Sequence, residues 1–178
     1  AALLQRELSL QKIAHCFYAT AESSAMIFLI FLGADLMNAA LALTQLPNEL
    51  SIIVHGWGLS PLAVVGGILL FYVVLGSVMD ELSMMLLTIP VIFPPVRALN
   101  LFGLAAEPKA IWFGILVLMV AEIGMITPPV GLNLFIISAM AKDVPMRETY
   151  KGITPFVTAD LLRIILLTAF PIISIFLV

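Results

Sequence analysis

The sequence predicts an all-α polytopic membrane protein with a re-entrant helical hairpin and a discontinuous transmembrane helix. Of its 178 residues, 62% are hydrophobic and 11% are charged, and the mean hydropathy is +1.18. Soluble domains contain roughly 45–50% apolar and about 25% charged residues, so this chain has more apolar surface than a soluble fold can bury. The apolar residues form long runs, and two polar segments containing Gly or Pro interrupt these runs where helices have to break.

Composition and motifs exclude several other classes of protein. A net charge of −3 without a basic stripe argues against binding to nucleic acid. The single cysteine, Cys16, excludes an internal disulfide and a multi-cysteine metal site. The sequence has no Gly-rich phosphate loop and no serine-hydrolase or zinc-protease motif, so we predict neither an organic cofactor nor an enzyme. Because the chain starts Ala-Ala-Leu-Leu, we expect a piece of a longer protein.

The two ends of the chain are predicted to contain an interfacial helix and two ordinary spans. In residues 1–14, apolar residues, mostly leucines, recur among polar residues at near-helical spacing. This pattern is typical of an amphipathic helix lying along the membrane surface. Residues 15–48 predict a first transmembrane helix, and residues 154–178 predict the last one. Each is longer than the roughly 20 residues that a helix needs to cross about 30 Å of hydrocarbon.

Residues 57–98 are predicted to form a re-entrant hairpin. Two apolar arms, 59–76 and 82–96, flank a polar and acidic tip at 76–83. Because each arm is short for a full span, the pattern favours a hairpin that returns to the side from which it enters. A plain turn outside the membrane, joining two short spans, is the alternative.

Residues 109–142 are predicted to form a transmembrane helix that breaks at mid-membrane depth. Pro128 and Pro129 each lack a backbone donor and clash with the preceding turn, and Pro128 also disfavours helical geometry at Thr127. Irregular backbone inside a bilayer is tolerated only where protein or a cavity surrounds it, so the break is a candidate functional site. A simple kink is the alternative.

The distribution of Lys and Arg predicts which side of the membrane faces the cytoplasm. With a re-entrant hairpin, five basic residues lie on the side of the N-terminal helix and two lie on the other side. Basic residues are enriched on the cytoplasmic side, so the hairpin is predicted to enter from outside. The five are Arg6, Lys12, Lys142, Arg147 and Lys151, and the two are Arg97 and Lys109.

Charged residues within the apolar runs have both functional and structural interpretations. Asp35 lies within the first run and Glu122 lies one turn before the break. Acids in membranes are often functional, although each of these two can instead pair with another helix. Asp160 and Arg163 are three residues apart, a spacing that favours a local ion pair. Glu81 is favoured as a solvated loop acid or as the N-cap of a helix, since acids are favoured near the first turn.

The hairpin tip at 76–83 and the break at 124–131 share the chemistry of an ion and anion site. Both contain Gly, which allows close backbone approach, and both contain hydroxyl groups. Free carbonyls at helix C-termini, together with Ser or Thr oxygens and one carboxylate, suit Na⁺, whereas helix N-termini suit an anionic substrate. Asp80 is the candidate carboxylate, unless it is only a solvated loop acid. Discontinuous helices of this kind occur in secondary transporters.

Three motifs, in order along the chain, carry a resemblance to one family. They are Gly-Ser-Val-Met-Asp at 76–80, Ile-Pro-Val-Ile-Phe-Pro at 89–94, and a segment at 123–135 that contains Gly-x-x-Thr-Pro-Pro-Val-Gly-x-Asn-x-Phe. Together they resemble the large membrane subunit of tripartite ATP-independent periplasmic (TRAP) transporters. The resemblance covers nearly the whole chain.

The resemblance implies a fold, a function and partners. Large subunits of this family have two inverted repeats, each with a re-entrant hairpin and a broken helix, and they work as elevators that carry substrate and Na⁺ past a scaffold. Their substrates are small organic acids such as C4-dicarboxylates, sialic acid and other sugar acids. A periplasmic solute-binding protein delivers the substrate, and a small membrane subunit braces the scaffold in the bacterial inner membrane. The chain resembles only the C-terminal half, so we do not expect it to transport alone.

The resemblance also implies a site for Na⁺ as the coupling ion. The side-chain oxygens of Ser77 and Thr127 are expected to bind Na⁺, together with carbonyls around Gly76 and Gly124. Asp80 is expected to supply or balance charge near the ion.

The remaining residues of the implied site lie in the broken helix. Pro128, Pro129 and Gly131 are expected to hold the helix open. Asn133 begins the second half-helix and is expected to face the carboxylate of the substrate.

Two other functions compete with transport. A structural or assembly subunit without a substrate site would leave its irregular segments, 76–83 and 124–131, far apart or facing lipid. An intramembrane enzyme that depends on an acidic pair would need Asp80 to approach Asp35 or Glu122. No recognised enzyme motif surrounds these carboxylates, so transport is the favoured hypothesis.

Overall fold

Helices form all the regular structure in the computed structural model, which describes residues 9–127, 131–140 and 145–176. Four of them (α1, α4, α5 and α7) are long and apolar enough to cross a membrane. The prediction of an all-helical membrane protein is therefore confirmed. In chain order the helices are α1 (Leu10–Thr44), α2 (Leu46–Gly56), α3 (Pro61–Gly76), α4 (Glu81–Ala98), α5 (Ala106–Ile126), α6 (Leu132–Met140), α7 (Met146–Ala169) and α8 (Ile172–Ile175).

The first helix, α1, does not follow the predicted boundaries. It begins after Ser9, whose side chain accepts a 3.3 Å hydrogen bond from the backbone N–H of Lys12, and it runs unbroken for 35 residues. The predicted change from an interfacial helix at 1–14 to a span at 15–48 therefore falls inside α1, while residues 1–8 lie outside the described ranges. Because α1 contains no proline, no residue in it removes a donor from its hydrogen-bond ladder.

The predicted hairpin at 57–98 consists of α3 and α4. The first arm ends at Gly76, and only the four residues 77–80 separate it from the second arm. Asp80 is the N-cap of α4, where its carboxylate accepts a 2.9 Å hydrogen bond from the backbone N–H of Ser83. A carboxylate at this position satisfies one of the free N–H groups of the first turn and sharply defines the start of the helix.

The predicted broken helix at 109–142 is divided into α5 and α6. α5 ends at Ile126, and Thr127 has the extended backbone (φ −107°, ψ 145°) expected of a residue before proline. The segment before the break, α5, has 21 residues, and the segment after it, α6, has nine. Pro128 and Pro129 lie outside the described residues.

The last long helix, α7, begins at Met146, eight residues before the predicted start of the final span at 154. Its first turns are polar and include a 3.0 Å ion pair between Lys151 and Glu148. Further along α7, the predicted local pair between Asp160 and Arg163 is confirmed, with an N–O distance of 3.3 Å.

The core is built around α5, which packs most extensively against α3 and also against α4 and α7. In the most apolar 18-residue stretch of α5, 50% of the residues are buried, compared with 6% in the corresponding stretch of α1. The largest fully buried side chains among the described residues are Trp112 and Phe113 of α5 and Tyr72 of α3, and they belong to one buried cluster with Met84 of α4. In α1, by contrast, Ala34 is the one buried residue among those described.

Two side chains donate hydrogen bonds to backbone carbonyls that have no helical donor. In each case the residue four positions after the carbonyl is a proline. Proline has no N–H, so the carbonyl four residues before it must find another partner when it is buried. The carbonyl of Leu167, four residues before Pro171, accepts a 2.8 Å hydrogen bond from the buried indole of Trp112. The carbonyl of Leu86 accepts one from Asn38 at 3.4 Å in the same way. These bonds join α7 to α5 and α4 to α1.

Replacing Trp112 with Phe is expected to lower the stability of the fold. Phe keeps most of the buried ring but cannot donate, so the carbonyl of Leu167 is left unpaired at a cost of about 1–3 kcal/mol. Thermal unfolding of the full-length protein in detergent should give a lower Tm for W112F. Trp57 is 63% exposed, so W57F is the matched control and should leave the Tm unchanged. Equal Tm values for the two variants would contradict this role of the indole.

Lys109, at the start of the predicted broken helix, is a buried cation. It is 6% exposed, and its Nζ atom donates to the carbonyls of Arg97 at 3.1 Å and Leu99 at 2.6 Å. These carbonyls lie at the C-terminal end of α4, where the helix dipole favours a cation. Lys109 thereby ties the end of the hairpin to the start of α5.

Candidate ion and substrate site

The two irregular segments meet at a pair of glycines. Gly76 ends α3, and Gly124 lies in the last turn of α5. A Cβ atom on Gly124 would lie 2.7 Å from the carbonyl oxygen of Val73 and 2.9 Å from the Cα of Gly76. A Cβ atom on Gly76 would lie 2.9 Å from the carbonyl oxygen of Ala121. The backbone that enters the hairpin tip therefore touches the helix end that precedes the break.

Ser77 is buried next to this contact, as the first residue of the hairpin tip. It is 0% exposed, and its hydroxyl donates a 2.7 Å hydrogen bond to the carbonyl of Val74. Its backbone N–H also donates back into α3, to the carbonyls of Val73 and Val74. Because the hydroxyl proton is donated within its own helix, the oxygen retains acceptor lone pairs. An oxygen in this state suits a cation.

Thr127 has the same arrangement at the end of α5. Its hydroxyl donates to the carbonyl of Ile123, and its backbone N–H donates to the carbonyl of Gly124 at 3.1 Å. The side chain is half-buried, and its oxygen also retains acceptor lone pairs. The C-terminal end of a helix carries partial negative charge, which favours a cation at this position.

Acidic side chains lie at and near the hairpin tip. Asp80 is exposed and is the N-cap of α4. The N-cap position that the sequence offered for Glu81 therefore belongs to its neighbour. Glu81 is half-buried in the first turn of α4, and Glu122 of α5 is close enough to interact with it electrostatically. Neighbouring carboxylates raise the local concentration of cations. The proximity of Glu81 to Glu122 is a feature that the sequence did not predict.

Gly131 and Asn133 lie at the start of α6. Gly131 has a φ of 61°, in the left-handed region that favours glycine, and its carbonyl accepts a 2.8 Å hydrogen bond from the N–H of Leu134. A Cβ atom on Gly131 would lie 3.3 Å from the carbonyl oxygen of Thr127, so the two ends of the break are close together. The side-chain nitrogen of Asn133 lies 3.9 Å from the sulfur of Met125 and bridges the break.

One family model matches nearly the whole chain. It describes the tripartite ATP-independent periplasmic transporter, DctM component, and it matches residues 1–173. The chain belongs to this family. The resemblance to TRAP large permeases predicted from the motifs at 76–80, 89–94 and 123–135 is therefore confirmed.

Curated relatives show how much of such a permease the chain represents. It is 31% identical to a putative TRAP transporter large permease protein of Haemophilus influenzae over 90% of the chain and 38% of the relative. It is 30% identical to the C4-dicarboxylate TRAP transporter large permease protein DctM of Pseudomonas aeruginosa over 98% of the chain and 39% of the relative. For the sialic acid TRAP transporter large permease protein SiaM of Vibrio cholerae, the identity is 26% over 92% of the chain and 36% of the relative.

The chain thus spans less than two fifths of the length of these TRAP permeases. No solved structure matches it at a significant level. The relatives are permeases and not enzymes. Family membership and the four helices of spanning length place the protein in the inner membrane, as predicted.

Proposed function

We propose that the chain is the C-terminal half of the large permease subunit of a Na⁺-coupled secondary transporter that imports small organic acids. The observation that carries this proposal is the backbone contact between Gly76 and Gly124, which brings together two helix interruptions in a member of the TRAP family. Irregular backbone within a membrane is stable only where protein or a cavity surrounds it, and transporters use such places to bind ions and substrates.

In this proposal, Na⁺ binds between the hairpin tip and the end of α5. Its ligands are the hydroxyl oxygens of Ser77 and Thr127 and the carbonyls around Gly76 and Gly124. The hydrogen bonds already made by both hydroxyls support this assignment, since the bonds direct the protons away and leave the lone pairs free. The carboxylate of Asp80 balances the charge of the ion.

The substrate is proposed to be a carboxylate held at the N-terminus of α6. The first N–H groups of a helix lack helical partners, and the helix dipole favours an anion there. Asn133 lies in this first turn and provides a side-chain amide. Support for an organic acid comes from relatives whose names specify C4-dicarboxylate, sialic acid and 2,3-diketo-L-gulonate. Pro128 and Gly131 keep the helix open at this point.

The same proposal assigns roles to the larger elements. The hairpin of α3 and α4 is re-entrant, the α5–α6 pair is a discontinuous transmembrane helix, and both belong to one inverted-repeat half of an elevator. The rest of the large subunit supplies the other repeat. A periplasmic solute-binding protein delivers the acid, and a small membrane subunit braces the scaffold. The tripartite description of the family supports this division of labour.

Uptake into proteoliposomes tests the proposal. The vesicles should contain the full-length large subunit with its small partner, and the binding protein should be added outside with labelled succinate or N-acetylneuraminate. We expect uptake only with an inward Na⁺ gradient, since each Na⁺ that moves down a tenfold gradient supplies about 1.4 kcal/mol. Vesicles without the permease are the control. Uptake that is equally fast when choline replaces Na⁺ would refute Na⁺ coupling.

A further inference from the structure

A cavity with a mainly apolar surface and several polar side chains lies between the end of α5 and the first half of α7. Its volume is about 340 Å³, which falls within the roughly 300–1,000 Å³ of small-molecule sites. One wall is formed by Ile126 and Thr127, directly before the break. The other wall is a single face of α7, and its lining side chains are Arg147, Tyr150, Lys151, Ile153, Thr154, Val157 and Thr158.

Two cationic side chains, Arg147 and Lys151, line this cavity. Arg147 is exposed, and among the described residues no carboxylate forms an ion pair with it. The charge of Lys151 is offset by Glu148, which lies 3.0 Å away on the same helix. Arg147 is therefore the principal anion-binding group, because a guanidinium can bind a carboxylate through two parallel hydrogen bonds.

Three threonine hydroxyls in the cavity donate their protons to carbonyls of their own helices. Thr154 donates its proton to the carbonyl of Tyr150 at 2.9 Å, and Thr158 donates to that of Pro155 at 2.8 Å. Thr127 donates to a carbonyl of α5 in the same way. Because these hydroxyls already donate their protons, their oxygens can only accept hydrogen bonds from a ligand. They therefore complement a ligand that has hydrogen-bond donors. A ligand with both a carboxylate and hydroxyl groups fits this arrangement, whereas an unsubstituted dicarboxylate uses only the cations.

We infer that this cavity is a second substrate subsite, specific for a hydroxylated organic anion such as a sugar acid. Arg147 binds the carboxylate, and Thr154 and Thr158 accept hydrogen bonds from the hydroxyls. This inference rests on the proposed transport of organic acids and narrows their chemical class. Because Arg147 and Lys151 lie on the side that the basic residues predict to be cytoplasmic, the subsite holds the acid as it leaves the transport site. The cavity has its own positive charges, so binding there does not require Na⁺.

Binding of gluconate and succinate to the full-length permease and its small subunit tests the inference. The complex should be held in phosphatidylcholine nanodiscs without Na⁺, and Kd should be measured by calorimetry. R147Q is expected to raise the Kd of gluconate about tenfold or more, because it removes the charge-assisted hydrogen bonds of the guanidinium. T154V should raise the Kd of gluconate about fivefold and leave that of succinate unchanged. E148Q should lower both Kd values, because it frees Lys151.

The matched control is R97Q, which removes the same charge at an exposed arginine of α4 outside the cavity. The inference is overturned if R147Q and R97Q have equal Kd values, if wild-type protein binds no gluconate without Na⁺, or if T154V weakens both acids equally. It is also overturned if R147Q changes only how strongly added phosphatidylglycerol stabilises the complex. That result would identify a lipid headgroup as the occupant. If R147Q leaves the rate of Na⁺-driven uptake unchanged, the subsite is refuted, whereas the proposed function is still supported.

Discussion

Replacing Gly124 with alanine is expected to slow transport by the full-length permease sharply. The added Cβ would lie 2.7 Å from a carbonyl oxygen and 2.9 Å from a Cα atom of α3, and these backbone atoms cannot turn aside as a flexible side chain can. The two helices must separate, which costs about 1–3 kcal/mol for an overpacked contact and corresponds to about a five- to 150-fold effect on an equilibrium. Separation also moves Ser77 away from the end of α5. Initial rates of labelled acid uptake measure the loss.

Gly114 provides the matched control for this variant. It lies on the same helix, but a Cβ atom there would have no neighbour within 4 Å. G114A should therefore transport normally, and it should be slightly more stable because alanine favours a helix over glycine by about 0.8–1 kcal/mol. If G124A fails to fold, G76A tests the same contact from the opposite helix, where the overlap is with one oxygen at 2.9 Å. Uptake by G124A at the rate of G114A would show that close approach is not required.

Replacing Thr127 with valine is expected to weaken Na⁺ binding while leaving the fold intact. Valine has the shape of threonine without the oxygen, so the proposed site loses one of its hydroxyl ligands. Loss of a polar group that interacts with a charge costs about 1.5–3 kcal/mol, which raises the half-saturating Na⁺ concentration by about tenfold or more. Acid uptake measured across a series of Na⁺ concentrations reports this shift. S77A should act in the same direction.

Two controls separate ligand loss from a general effect on the helix. T127S keeps the hydroxyl and should retain a nearly normal Na⁺ curve. T44V removes a threonine that makes a similar 2.9 Å bond to a carbonyl of its own helix, but in α1 and outside the proposed site. Identical Na⁺ curves for T127V and T44V would eliminate Thr127 as a ligand.

The break after α5 shows where local sequence rules succeed. Proline removes a donor and restricts the residue before it, and these effects act within one turn. Thr127 accordingly has the extended backbone that the sequence predicts. The predicted boundary at 14–15 shows where such rules are insufficient. A change in amphipathic pattern alters which face of a helix is polar, but it leaves the hydrogen-bond ladder intact, and α1 continues through it.

Lys109 and Trp112 show why long-range polar contacts escape prediction. Their acceptors are backbone carbonyls, which every residue has, so the sequence around an acceptor carries no specific signal. Trp112 binds a carbonyl 55 residues away, and Lys109 binds two carbonyls at the end of the preceding helix. In hindsight, Pro171 is a usable signal, because it leaves the carbonyl of Leu167 without a helical donor.

The amino-acid sequence is sufficient for the membrane setting, the family and the two places where helices are interrupted. These properties follow from transfer of apolar residues out of water, from ordered motifs and from proline geometry, all of which depend on composition or near neighbours. Only the tertiary structure brings Gly76 to Gly124 and places Arg147 opposite Thr127 across a cavity. Small residues such as Ala121 and Gly124 mark a face suited to close packing, but the partner of that face depends on how whole helices dock.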